Sequence, residues 1–185
     1  MKRNLIIMIL FAFKFCFAAK IYNIKTFGAV GDGFTLNTKA IQSTIDRAAY
    51  EGGGVVFIPK GIFVSGSLVL KTGVELNLAK NAVLLGSINA SDYITLHRWK
   101  ALIMADSASH ISITGKGTID GRGGELALHI DSLFYAGQID SHNYYLAERR
   151  PWAELRPQII EFNRCSDIKV LNVRIMNSAC WVQTY

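Results

Sequence analysis

The chain has 185 residues, half of them hydrophobic and only three of them proline, so it can bury one core and does not have the composition of a disordered polymer. Its formal charge is +6, but removing residues 1–18 takes away Lys2, Arg3 and Lys14 and no acidic residue, which lowers it to +3. An excess that small excludes a charge-driven nucleic-acid binder and is compatible with an anionic polysaccharide as partner.

The first residues read as a leader. Met1-Lys2-Arg3-Asn4 is basic, 5–13 is apolar throughout, and Cys16 and Ala18 are small residues two apart. That order predicts a secretory signal peptide over 1–18, cleavage after Ala18 and an exported protein, periplasmic or extracellular. The apolar run is too short to span a bilayer, so no membrane association is expected once the signal is removed. Lys14 is an unusual residue so near a cleavage site. Export permits a disulfide between Cys165 and Cys180, and two packed thiols is an equally open reading.

Next comes "KTFGAVGDGFTLNTKAIQSTIDRAAYEGGG", residues 25–54. Its glycine-rich turn follows no βαβ strand and lacks the Gly-Lys-Ser/Thr end of a phosphate loop, so a nucleotide cradle is excluded. Ala40, Ile41, Ile45, Ala48 and Ala49 fall on one side of a helix over 38–50. Asn37 or Thr35 is placed to cap its start and Gly52 to end it.

Short strands follow at 55–59, 61–70, 74–78, 82–86, 101–105, 111–113, 117–119, 159–162, 168–173 and 181–185, separated by turn residues. That spacing predicts an all-β domain. "LNLAKNAVLLG" (76–86) matches "ISITGKGTIDG" (111–121) at an offset of 35. "SHISITGKGTIDG" (109–121) matches "SDIKVLNVRIMNS" (166–178) at an offset of 57, with Thr118 on Ile175 and Asp120 on Asn177. Copies of one strand–turn–strand unit at unequal spacing predict a right-handed parallel β-helix, with the 38–50 helix covering the first coil. The stretch from about 122 to 157 does not repeat and reads as an inserted loop, with room for a short helix, beside the coils.

The ordered segments "FGAVGDGFTLNTKAIQSTIDRA", "GGGVVFIPKGIFVSGSLVL", "VELNLAKNAVLLGS", "ISITGKGTIDGRG" and "RPQIIEFNRCSDIKVLNVRIMNSACWVQTY" resemble the N-terminal half and central coils of the polygalacturonase-like glycoside hydrolases, glycoside hydrolase family 28. The resemblance runs from about Tyr22 to Tyr185. It implies a secreted, metal-independent enzyme without a cofactor. Its partner would be an acidic plant cell-wall polysaccharide: pectin, polygalacturonate or rhamnogalacturonan. The implied mechanism is inverting, with one carboxylic acid protonating the leaving oxygen and carboxylates opposite activating a water.

The family's Asn-Thr-Asp, Asp-Asp, Gly-His-Gly and Arg-Ile-Lys motifs do not occur in these 185 residues. No catalytic residue is therefore carried over. The expectation is an N-terminal portion of a longer protein, 19–185 forming part of a β-helix and inactive alone. The alternatives are a non-catalytic carbohydrate-binding β-helix and a calcium-dependent lyase of the same fold.

Individual side chains divide as follows. Trp181 and Gln183 alternate on a late strand near where the family's cleft begins, so both are candidate substrate contacts; a tryptophan packed into the wall remains the other reading of Trp181. Arg149, Arg150 and Arg156 are candidate donors to galacturonate carboxylates, Arg150 foremost, against an ordinary charged loop. Asp32 reads as a turn carboxylate. Asp120 with Glu125 reads either as a catalytic pair or, for Asp120, as a turn position. Asp131, Asp140, His129 and His142 read either as a metal cluster or as a solvated loop. His97 and His110 look isolated.

Overall fold

The computed structural model describes residues 19–148 and 150–185; the expected leader and Arg149 lie outside them. The first coil is β1 (Ile21–Asn23) and β2 (Asp32–Leu36), followed by α1 (Thr38–Tyr50). The second is β3 (Gly54–Ile58), β4 (Gly61–Ser65) and β5 (Leu68–Val69). The third is β6 (Val74–Leu78), β7 (Ala82–Gly86) and β8 (Ala101–Asp106). The fourth holds β9 (Ser109–Gly115) and β10 (Thr118–Asp120), leaves the stack through α2 (Gly123–Tyr135) and the short β11 (Tyr144–Tyr145) and β12 (Arg150–Pro151), and returns as β13 (Gln158–Asn163). The last holds β14 (Ser166–Val170), β15 (Arg174–Met176) and β16 (Gln183–Thr184).

Corresponding strands stack into three parallel sheets, ordered β1-β3-β6-β9-β14, β2-β4-β7-β10-β15 and β5-β8-β13-β16. This is the right-handed parallel β-helix. Every coil lays its inward residues on those of its neighbour. In the first sheet the column is Tyr22, Val56, Leu76, Ile113 and Val170. In the second it is Phe63, Leu84, Ile119 and Ile175. In the third it is Leu68, Ile103, Ile160 and Gln183. The apolar members from the second to the fourth coil are fully buried, whereas Val170 and Ile175 in the last coil are only partly covered.

α1 closes the stack at the first coil. Ile41, Ile45 and Ala48 join the core, and the helix packs on β1, β3 and β5. Thr44 is also fully buried on this face, where its hydroxyl donates back to the Ala40 carbonyl at 2.8 Å, satisfying a group that burial would otherwise strand. The side chain of Asn37 does not cap the helix. It is buried and instead holds the preceding turn, accepting from the Val30 N–H at 2.7 Å and donating to the carbonyls of Val30 and Thr35. Gly52 and Gly53 end α1, their N–H groups reaching the carbonyls of Ala49 and Ala48.

Two register expectations need correction. The offset of 35 holds in the second sheet, where Leu84 pairs with Ile119, but in the first sheet Leu76 pairs with Ile113 rather than Ile111. The offset of 57 holds in the first sheet, but in the second Thr118 pairs with Arg174 and Asp120 with Met176, one residue earlier than expected. The physical reason is common to both. Side-chain alternation fixes which face a residue takes, and turns of unequal length between sheets shift the register from one sheet to the next. No helix among the described residues is long and apolar enough to cross a membrane.

Candidate functional site

The outer face of the third sheet carries a grouping of aromatic and cationic side chains. Two segments build it. One is the loop from Tyr93 to Lys100. The Ile94 N–H donates to Ser67 Oγ at 3.0 Å, the Lys100 ammonium donates to the Ala90 carbonyl at 3.0 Å, and Thr95 bridges Lys100. Burial lowers the Lys100 pKa. The Trp99 N–H donates to Glu161 Oε1 on β13 at 3.0 Å. A loop tied at these points presents Arg98 and Trp99 in fixed positions, with the guanidinium 4.8 Å above the indole ring.

The other segment is the β11–β12 hairpin. Tyr145 pairs with Arg150 across it, which sets the guanidinium 5.8 Å over the Tyr145 ring. Tyr145 also meets Trp152 with centroids 4.9 Å apart. Behind the hairpin, Phe134 of α2 stacks on the buried Tyr144 at 4.1 Å, docking it. Burial is the main cause that pushes the Tyr144 pKa up to about 12.

Trp181 joins the two segments. Its ring lies edge to face with Trp99, centroids 5.5 Å apart, and it lines a groove of about 430 Å³ with Arg150, Trp152, Arg156 and Cys180. Arg156 donates Nη1 to the Ala179 carbonyl at 3.3 Å, and its buried Nε has no partner. Arg150 is ion-paired with Glu148, whose hydrogen bond is the main cause that raises its pKa. On the other side of Trp99, a second cavity of about 300 Å³ is lined by Arg98, Glu161, Thr184 and Tyr185 among others. Flat aromatic faces beside guanidinium forks suit a sugar ring that carries a carboxylate.

The structure thus brings Trp181 and Arg150 onto one groove. Gln183 is not among its lining residues: it follows Ile160 in the inward column of the third sheet, and its Oε1 accepts from the Tyr185 hydroxyl at 3.1 Å. Arg98, Trp99, Tyr145, Trp152 and Glu161 were missed. For the first four, "HRWK" and "YYLAERRPW" held the signal, basic residues interleaved with aromatic ones, but nothing in sequence order says that they meet.

Asp32, Asp120, Glu125, Asp140 and His110 have structural partners, whereas Asp131 Oδ1 is buried without one. The Asp32 carboxylate accepts from the Thr35 hydroxyl at 2.6 Å and from the N–H groups of Phe34 and Thr35, which together hold its pKa down at about 2. Asp120 accepts from Asn177 Nδ2 and from the Arg122 N–H, while Glu125 pairs with Arg122, so each carboxylate has its own structural partner. Asp140 accepts from the His142 N–H at 2.9 Å, and no group of three or more His, Cys, Asp or Glu is placed to hold a metal among the described residues. His110 is not isolated: its ring pairs with Asp167 on the next coil. Cys165 and Cys180 are both free, half-buried thiols.

Comparison with known proteins agrees with this architecture. The family described as rhamnogalacturonase A/epimerase, pectate lyase-like matches residues 21–147. An exo-poly-alpha-D-galacturonosidase of Dickeya chrysanthemi is 41% identical over 121 residues, which cover 56% of this chain and 20% of that protein. A Vitis vinifera protein provisionally named a polygalacturonase is 32% identical over 177 residues, 86% of this chain and 33% of its own length. The family 28 exopolygalacturonase structure from Yersinia enterocolitica superposes with a TM-score of 0.71 at 28% identity, covering 88% of this chain and 36% of that one. The chain therefore spans a fifth to a third of the length of these two curated relatives.

Proposed function

The chain belongs to the rhamnogalacturonase A/epimerase, pectate lyase-like family as a polygalacturonase-like member, and from that premise we propose that it serves a pectin-degrading glycoside hydrolase by binding galacturonic acid-containing polysaccharide. The observation that carries this reading is the face formed by Trp99, Trp181 and Trp152 with Arg98, Arg150 and Arg156. Aromatic rings offer apolar area to the flat side of a sugar, and guanidinium groups offer paired donors to its carboxylate. Polygalacturonate presents both on every residue. The net positive charge favours encounter with such a polyanion.

The family's Asn-Thr-Asp and Asp-Asp motifs, which would carry acid and base, are absent from these 185 residues. The proposal for this chain alone is accordingly binding without turnover, on a protein exported by residues 1–18. The test is affinity electrophoresis in gels with polygalacturonate or neutral dextran, beside a reducing-end assay. Retardation by polygalacturonate only, weakened in Trp181→Ala and without new reducing ends, is the expected result. Equal mobility in both gels would overturn the binding proposal, and steady release of reducing ends would overturn the claim of no turnover.

A further inference from the structure

The second cavity holds an unexplained group. Glu161 is 5% exposed on the outer column of the third sheet, between Met104 and Thr184. Its Oε1 is used by the Trp99 N–H, and its Oε2 is buried with no hydrogen-bond partner. A buried carboxylate oxygen that has left water without finding a donor is costly, and native structures seldom keep one without a use. Thr184, its register neighbour, does not supply the donor, because that hydroxyl is given to Gln158 at 2.8 Å. The exposed side chains of Arg98 and Tyr185 line the same cavity.

We propose that Glu161 is a specificity-determining residue that accepts a ring hydroxyl of a bound sugar in the cavity beside Trp99. This rests on the polysaccharide-binding reading and adds which group of the sugar is recognised there. The chemistry selects a hydroxyl. A carboxylate of the polymer would repel Glu161 and cannot donate when ionised. A calcium ion requires six to eight oxygens, and Glu161 is the only side-chain carboxylate lining the cavity among the described residues. The uronate carboxylate is left to Arg98, whose guanidinium rests on the Trp99 ring. One sugar unit is then held by three chemically different contacts: ring stacking, a charge pair and a hydroxyl.

The experiment measures binding of α-1,4-linked trigalacturonate, and of the same trisaccharide acetylated at O-2 and O-3, to the 185-residue chain by calorimetry. Glu161→Gln keeps the shape and removes the charged acceptor. Expected are a loss of about tenfold or more in affinity for trigalacturonate on Glu161→Gln, and a comparable loss for the acetylated ligand on the wild-type chain. The acetylated ligand should be indifferent to Glu161→Gln. The wild-type arm needs no folded variant and decides the matter should Glu161→Gln misfold. Equal affinity for the two ligands, or unchanged binding in a folded Glu161→Gln chain, overturns the inference and leaves the polysaccharide reading standing. So does a Glu161→Gln chain that loses thermal stability but not affinity, which would give the carboxylate a structural role only. Failure of the wild-type chain to bind trigalacturonate would remove both.

Discussion

Trp99 and Trp181 stand 82 positions apart in the chain and meet with ring centroids 5.5 Å apart at an interplanar angle of 63°. Edge-to-face pairs of this kind contribute about 0.5–1.5 kcal/mol beyond their buried area. A double-mutant cycle of Trp99→Ala and Trp181→Ala in denaturant unfolding should therefore return a coupling of about 1 kcal/mol. Additive losses would mean that the rings do not support each other.

The two arginines of the groove should differ. Arg150 is neutralised by Glu148, whereas Arg156 has a buried, unpartnered Nε. Arg156→Gln is expected to weaken polygalacturonate binding by about tenfold at low salt, and Arg150→Gln by only a few-fold. Raising ionic strength should shrink the Arg150 effect more than the Arg156 effect, since screening acts chiefly on exposed charges. A larger effect at Arg150 would reverse the assignment.

Gln183 supplies a check on the register. It continues the inward column of Leu68, Ile103 and Ile160. Gln183→Leu should leave polygalacturonate affinity unchanged and alter stability by no more than about 0.5 kcal/mol, because the site is still exposed. A clear loss of affinity would return Gln183 to the list of sugar contacts.

A pair of glycines tests the packing of the coils. Gly115 has φ +112, and a Cβ there would lie 2.0 Å from the Leu78 carbonyl oxygen of the coil before it. Gly115→Ala should destabilise the chain by on the order of 3 kcal/mol. Gly124, near the start of α2, has nothing within 4 Å of an added Cβ, and its φ is not in the left-handed region. Gly124→Ala should stabilise by roughly 0.5 kcal/mol. Equal effects in chemical denaturation would contradict the close approach of coils at Gly115.

Two carboxylates near the N-terminal coil stay ionised far into acid. The Thr35 hydroxyl and two backbone N–H groups hold the Asp32 pKa at about 2, and Lys20, with Tyr22 second, holds that of Glu51 at about 2. Both are depressed below their ordinary values of about 4. Their contribution is thus complete above pH ~4 and is lost as the pH falls through ~2. Side-chain carboxyl titration by NMR should place both near 2, and Thr35→Val should raise the Asp32 midpoint. Midpoints near 4 for the wild-type chain would count against the described hydrogen bonds.

Much of the fold was legible because β-helix coils are local units. Alternation in 74–78 and 82–86 states which residues face inward, and the 38–50 pattern states which side of α1 is apolar. Turn length between sheets leaves no periodic signal, so the pairings of Leu76 and Thr118 were displaced by two residues and by one. Trp181 and Arg150 were recognisable as candidates from residue type and position. Glu161 was not, since a glutamate within "PQIIEFN" carries no mark of its missing partner.

The sequence alone determined the class of architecture, the residues of the capping helix and the absence of the family's catalytic motifs from these 185 residues. Each follows from short-range periodicity or from the letters themselves. Only the tertiary structure decided that Trp99, Trp181, Arg150 and Arg156 share one face, that Gln183 follows the core column, and that Glu161 keeps an unpartnered oxygen. Those facts depend on how coils of unequal length align across the third sheet. Alignment there is set by side-chain stacking between residues some 25 to 80 positions apart, which no local pattern records.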